Sequence, residues 1–260
     1  HKTVRRQRQM CIRDSDTTAP TITITGSASV TVELGTDYSD AGATATDLSG
    51  TVDVSVSSTV DTSAVGTYKV TYSSTDSSGN TATLDRTVIV SDTTAPVITV
   101  TGDNPASVQL GGSYTDAGAT YTDASGNGTI TASGSVNTLV LGSYTKTYTV
   151  TDPSGNTATA TRTVNVIDTT VPVFTSSASF SADENQTAIG TVTASDASSG
   201  VTFSVANTDI VITSAGVMSF ITAPDYETKT SYTVTVVATD ANDNTAAVSY
   251  THLRAHETSG

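Results

Sequence analysis

Histidine is missing from the whole interior of this chain: the three that exist are His1, His252 and His256. No Ser-His-Asp or Cys-His arrangement can therefore form there. Cys11 is the only cysteine, so an internal disulfide is excluded, as is a zinc set of His and Cys. No apolar run is long enough for a membrane-spanning helix. No charged start leads into an apolar core and a small-residue cleavage site, so no signal peptide is visible. No glycine-rich phosphate loop opens a helix. Tryptophan is absent and aromatics make up only 5% of residues, a poor supply for stacking on sugars.

Basic residues are scarce as well, 11 against 25 acids, for a net charge of −14. Six of the eleven (Lys2, Arg5, Arg6, Arg8, Arg13 and Arg254) lie near the ends. Removing the terminal acids Asp14 and Glu257 leaves 23 acids against five bases over residues 16–249. Such a surface repels nucleic-acid phosphates. It suits an extracellular setting or the binding of cations. Catalysis is not expected: no set of side chains offers complementary roles, and paired carboxylates lie on turns.

What the chain does have is a repeat. Asp16-Thr17-Thr18-Ala19-Pro20 returns 76 residues later as Asp92-Thr93-Thr94-Ala95-Pro96, and after a further 76 as Asp168-Thr169-Thr170-Val171-Pro172. Tyr38, Asp40, Ala41 and Gly42 map at the same interval onto Tyr114, Asp116, Ala117 and Gly118. A period of this length is too long for a solenoid turn and fits small domains in tandem.

Within each copy, polar and apolar residues alternate, as in Thr21–Thr25 and Thr51–Ser57, and Tyr68, Val70 and Tyr72 share one face. Period-two alternation between Gly- and Asp-rich breaks predicts short antiparallel strands, about seven per copy, in an immunoglobulin-like sandwich. Tyr68, Tyr144 and Tyr232 each stand eight residues before an aspartate (Asp76, Asp152, Asp240). They suit either a hydrogen-bonded corner or a plain core aromatic. Lys146 shares the parity of Tyr144 and Tyr148, which predicts snorkelling at a sheet edge.

The motifs Asp16-Thr-Thr-Ala-Pro20, Tyr38-Ser-Asp-Ala-Gly-Ala43, Gly66-Thr-Tyr68 and Thr75–Ala82, with their copies, resemble the bacterial Ig-like repeats of surface proteins first named from a pesticidal crystal protein. The third copy is similar to a cadherin repeat through Asp183-Glu184-Asn185, Ala194–Ser198, Asp225-Tyr226-Glu227 and Ala238-Thr239-Asp240. The ends resemble sequencing-adapter read-through. The expected organisation is all-β, with three Ig-like or cadherin-like β-sandwich domains in a linear array. Residues 16–91 and 92–167 are Ig-like and 168–249 cadherin-like, between non-native flanks 1–15 and 250–260, and the natural chain is expected to continue on both sides.

In a sandwich, the loop between the second and third strands and the last hairpin loop lie where the chain comes in. This gathers Asp16, Asp47 and Asp76 with Asn80 in the first domain. It gathers Asp92, Asp123 and Asp152 with Asn156 in the second, and Asp168, Asp196 and Asp240 with Asp243 in the third. Calcium takes six to eight hard oxygens from such groups. Each aspartate equally suits a turn whose backbone it caps. Resemblance to cadherins, whose acids ligate calcium between successive repeats, adds Glu184, Asp225 and Glu227 at the far end of the third domain.

The expected role is a non-catalytic stalk or adhesion segment of a bacterial cell-surface or secreted protein, its junctions stiffened by calcium. Two alternatives are calcium-dependent adhesion by the cadherin-like domain and an accessory module of a secreted polysaccharide hydrolase. Expected partners are neighbouring domains of the same longer chain, with like chains, a host surface or a polysaccharide as further candidates. Nucleic acid and membrane insertion are not among them. Each linker is short, and its proline restricts the backbone.

Overall fold

Branched Thr and Val at alternating positions pack well on a pleated sheet, and the computed structural model is built of strands throughout. It describes residues 16–48 and 50–256, with side chains as far as Tyr250. The expected flank 1–15 and residues 257–260 lie outside the described residues. By its contacts the chain divides into two compact units. Of the described residues, one unit holds those from 16 to 99 with 119–131 and 148–160; the other holds 100–118, 132–147 and 161–256. The second repeat thus contributes to both.

The first repeat forms two sheets. Thr21–Ile24, Ala43–Asp47 and Gly50–Val52 make one, with Thr21 paired to Thr46 and Ala45 to Val52. The other runs in the order Ser29–Glu33, Thr81–Ser91, Gly66–Thr75, Ser55–Ser58. Ser29–Glu33 pairs in parallel with Thr81–Ser91, Val30 opposite Val88. The core between the sheets is Val70, Tyr72 and Val88, with Ile22, Ile24 and Ala43 packed against it from the facing sheet.

One charge is buried here that charge counting alone did not place. Arg86 is 2% exposed and shares its strand face with Val88 and Val90. Its guanidinium pairs with Asp40 and donates to the carbonyls of Thr25 (2.5 Å) and Gly42 (3.2 Å). The Tyr72 hydroxyl (2.8 Å), the Tyr38 hydroxyl (2.9 Å) and the Gly42 N–H (3.1 Å) also donate to Asp40. Burial pushes the Asp40 carboxyl up, but the hydrogen bonds of Tyr72 and Tyr38 and the charge of Arg86 outweigh it and hold it below the usual carboxylate range. The same burial and the Asp40 carboxylate push the Tyr72 hydroxyl up to about 12.

In the second repeat the order Thr129–Ser133, Gly142–Thr151, Thr157–Ile167, Ala106–Gln109 makes one sheet, and Ala119–Thr122 with Val97–Val100 another. Arg162, 2% exposed, meets Asp116 at 2.5 Å and repeats the arrangement of Arg86. The expected corner is present in both repeats: the hydroxyls of Tyr68 and Tyr144 each donate to a carbonyl four residues upstream, of Ala64 and Val140, at 2.9 Å. Lys146 is not at a sheet edge, because Gly142–Thr151 lies inside its sheet. Its amine donates to the Gly134 carbonyl at 2.9 Å.

The third domain has a larger core of Ala182, Ile189, Val192, Ile210, Met218, Phe220, Val234, Val236 and Tyr250. Tyr232 makes no copy of the corner; it packs on Phe220, with ring centroids 4.7 Å apart, and lies under the Lys229 amine. The boundary expected after residue 249 falls within the strand Thr245–His256. Tyr250 is 1% exposed in the core, and the strand Thr245–His256 pairs by its backbone with both Ser231–Thr239 and Ser181–Asp183.

Candidate metal centres at the aspartate clusters

Each repeat begins with an aspartate whose carboxylate caps the linker. Asp16 accepts from the Thr18 N–H at 2.9 Å, and Asp92 from the Thr94 N–H at 3.2 Å. Asp168 accepts from the Thr170 N–H at 3.0 Å and the Thr170 hydroxyl at 2.5 Å. A second aspartate sits on the loop after the second strand of the smaller sheet. Asp123 accepts from Ser125 N–H and hydroxyl, and Asp196 from both donors of Ser198 at 2.9 Å. The third lies on the last hairpin and caps it: Asp76, Asp152 and Asp240 each accept from the N–H four residues on. The turn-capping role is therefore real for Asp16, Asp76, Asp92, Asp123, Asp152, Asp168, Asp196 and Asp240.

These turns also bring carboxylates together. Asp16, Asp47 and Asp76 offer oxygens all within 4.8 Å of one another; so do Asp92, Asp123 and Asp152, and Asp168, Asp196 and Asp240. Asp92, Asp152, Asp168 and Asp240 are buried, at 6%, 5%, 6% and 5% exposure. Asp92 Oδ2 and Asp168 Oδ2 are buried without any hydrogen-bond partner. Buried carboxylate oxygens without a donor are costly, and adjacent like charges add to that cost.

The side-chain amides behave differently from the ligands expected. Asn80 Nδ2 donates to Asp76 at 2.7 Å and to the Asp16 carbonyl at 2.9 Å. Asn156 does the same to Asp152 and Asp92, and Asn244 to Asp240 and Asp168. Each amide is a brace tying the hairpin to the incoming linker. In the third domain this place belongs to Asn244 and not to Asp243, which is exposed on the turn with φ 65°.

Those bonds set the charge state. The Asn80 amide, followed by backbone N–H groups, lowers the Asp76 carboxyl against the opposing effect of burial. For Asp152 and Asp240 burial is the largest influence and raises the pKa, but the amides of Asn156 and Asn244 with neighbouring N–H groups bring the net shift below the usual range. The Asp168 charge pushes Asp240 back up, a direct sign of crowding.

The far-end acids do not form a further group of this kind among the described residues. A backbone bond from Asn185 N–H to the Pro224 carbonyl, 3.1 Å, brings their two turns side by side. Asp225 is taken up by the N–H of Glu227 and the hydroxyl of Thr228.

The sequence reading passed over the residues that hold each linker. Glu33 accepts from the N–H and hydroxyl of Thr93, at 2.8 and 2.7 Å, and from those of Thr94, at 3.1 and 2.8 Å. The Thr93 N–H, the Thr93 hydroxyl and the Thr94 hydroxyl pull its carboxyl down to about 2. Gln109 stands 76 residues further on and holds Thr169 in the same way, at 3.1 and 2.7 Å. The available signal was this shared interval, at the last residue of the second strand of each repeat.

The family model described as "Bacterial surface protein, Ig-like domain" matches residues 22–90 and 98–166. The chain belongs to this family. The third domain lies outside the matched residues. Among curated proteins, hyalin of Strongylocentrotus purpuratus is 37% identical over 179 residues, which cover 62% of this chain and 15% of that protein. Hyalin of Lytechinus variegatus is 37% identical over 184 residues, 64% of this chain and 34% of that protein. The chain thus spans about a third or less of the curated relatives it matches. Similar solved structures include protocadherin gamma B2 extracellular cadherin domains 1–5, at 16% identity and TM-score 0.42, covering 89% of this chain and 58% of that one. Mouse cadherin-23 EC22–24 is 16% identical with TM-score 0.36, covering 92% and 99%. Membership of a surface-protein Ig-like family makes this chain an extracellular repeat region of the stalk or adhesion type.

Proposed function

We propose that this chain is a non-catalytic spacer of a bacterial surface protein and that calcium, held by the aspartate clusters, stiffens the junctions between its repeats. The observation that carries the reading is the pair of partnerless, buried oxygens on Asp92 and Asp168, each within a group of three carboxylates. The donor set fits the ion: hard carboxylate oxygens with backbone carbonyls nearby. Asp92, Asp123 and Asp152 would hold one ion, and Asp168, Asp196 and Asp240 another. Asp16, Asp47 and Asp76 form the same set at the first repeat, with Asp16 only half-buried. Bound calcium would tie linker, loop and hairpin to one point and cancel the repulsion that now opposes their approach.

A polysaccharide-stacking platform has less support. Among the described residues Tyr226 is the most open aromatic side chain, at 37% exposure, and one ring does not make a strip.

Extracellular modules bind calcium with Kd values of about 0.1–1 mM, so about 10 mM calcium should add about 1.5–3 kcal/mol at each occupied site. Calorimetric melting and small-angle scattering, each in calcium and in chelator, test this. The expected result is a higher melting temperature and a narrower spread of dimensions with calcium. Identical curves in both conditions would rule the reading out.

A further inference from the structure

The two buried clusters share a framework but differ in what the second strand of the foregoing repeat contributes. Glu33 ends the strand Ser29–Glu33 and Gln109 ends Ala106–Gln109, at the same place in the repeat. Glu33 brings a negative charge. Its Oε1 and Asp92 Oδ1 accept from one and the same N–H, that of Thr94, at 3.1 and 3.2 Å. Two carboxylates competing for a single donor leave Asp92 poorly neutralised: Oδ1 has half a hydrogen bond and Oδ2 has none. Gln109 is neutral and reverses the polarity. Its Nε2 donates to Asp168 Oδ1 at 2.7 Å, where the N–H and hydroxyl of Thr170 already donate. Asp168 Oδ1 therefore holds three donors and only Oδ2 is left to meet a cation.

We infer that this one position grades the two calcium sites: Glu33 makes the Asp92 cluster the tighter, and Gln109 makes the Asp168 cluster the weaker. The inference rests on the calcium reading above and deepens it. Two effects act in the same direction. A fourth carboxylate near the first ion adds attraction, since ligand charge is a main control on calcium affinity. The Gln109 amide takes up an oxygen that the first cluster leaves available. Both side chains keep their grip on the linker threonines, so the grading is separable from the clamp. As extracellular calcium rises, the junction at Asp92 would stiffen before the one at Asp168.

Isothermal titration of the whole chain with calcium chloride tests this, on the parent and on Glu33→Gln and Gln109→Glu. Asp92→Asn assigns the tighter class of site. Glu33→Gln should weaken that class about tenfold, and Gln109→Glu should tighten the Asp168 site by a similar factor. Melting in chelator checks that each variant is folded, and the gain expected in Gln109→Glu cannot arise from misfolding. A parent that binds calcium with isotherms unchanged by either variant would overturn the grading and leave the calcium reading standing. A parent that takes up no calcium would overturn both.

Discussion

Replacing Asp40 by Asn removes the charge that the buried Arg86 faces while keeping the shape of the side chain. Arg86 is 2% exposed, and its guanidinium would keep the carbonyls of Thr25 and Gly42 but face no negative charge. Tyr72, fully buried, would lose its anionic acceptor as well. Breaking a buried ion pair from one side costs about 3–5 kcal/mol. Asp40 is itself 22% exposed, which lets water reach part of the site, so about 3 kcal/mol is the reasoned value. For a domain of this size each kcal/mol moves the melting point by about 4–8 °C, so the first repeat should melt about 12–24 °C lower. Calorimetry should show its transition moving alone, and Asp116→Asn should move that of the second repeat. The double variant Asp40→Asn/Arg86→Met should recover part of the loss, since an apolar replacement leaves no stranded charge. A shift of a degree or two, or strict additivity in the double variant, would refute this account of the core.

The same carboxylate predicts acid behaviour. Its folded pKa lies below the ordinary unfolded value of about 3.9, so its stabilisation is complete above that value and is lost as pH falls through the folded pKa. Urea unfolding of the first repeat should be level from neutral to about pH 5 and decline below about pH 4, and Asp40→Asn should flatten the decline. Tyr68→Phe and Tyr144→Phe each remove one corner hydrogen bond and should cost about 1 kcal/mol in urea unfolding. Tyr232→Phe, which keeps the contact with Phe220, should cost less. Gly216→Ala should cost more than about 2 kcal/mol, because a Cβ there meets the Val192 carbonyl oxygen at 2.2 Å on a backbone with φ +87°.

Much of this architecture could be read directly from the chain because its cues are local and repeated. The 76-residue interval exposed the tandem units, and alternation such as Tyr68-Val70-Tyr72 exposed the strands. The aspartate groups followed from where loops must lie in a sandwich. Arg86 escaped because a charge on the core parity of a strand contradicts binary patterning unless its partner is known. That partner, Asp40, lies 46 residues away. Its recurrence in Arg162 and Asp116 was the clue. The parallel pairing of Ser29–Glu33 leaves no trace either, since an alternating strand looks the same beside either neighbour. Asp243 stands one residue short of the bracing amide, Asn244. Counting four residues from the turn aspartate, as from Asp76 to Asn80, gives Asn244, because the capped hairpin fixes that distance.

Equilibrium dialysis against radioactive calcium is the most direct test of the clusters as metal sites. The parent chain should retain calcium at millimolar free concentration, and a variant with Asp92, Asp123 and Asp152 all changed to Asn should retain measurably less. Equal calcium inside and outside the membrane for the parent chain would contradict the account.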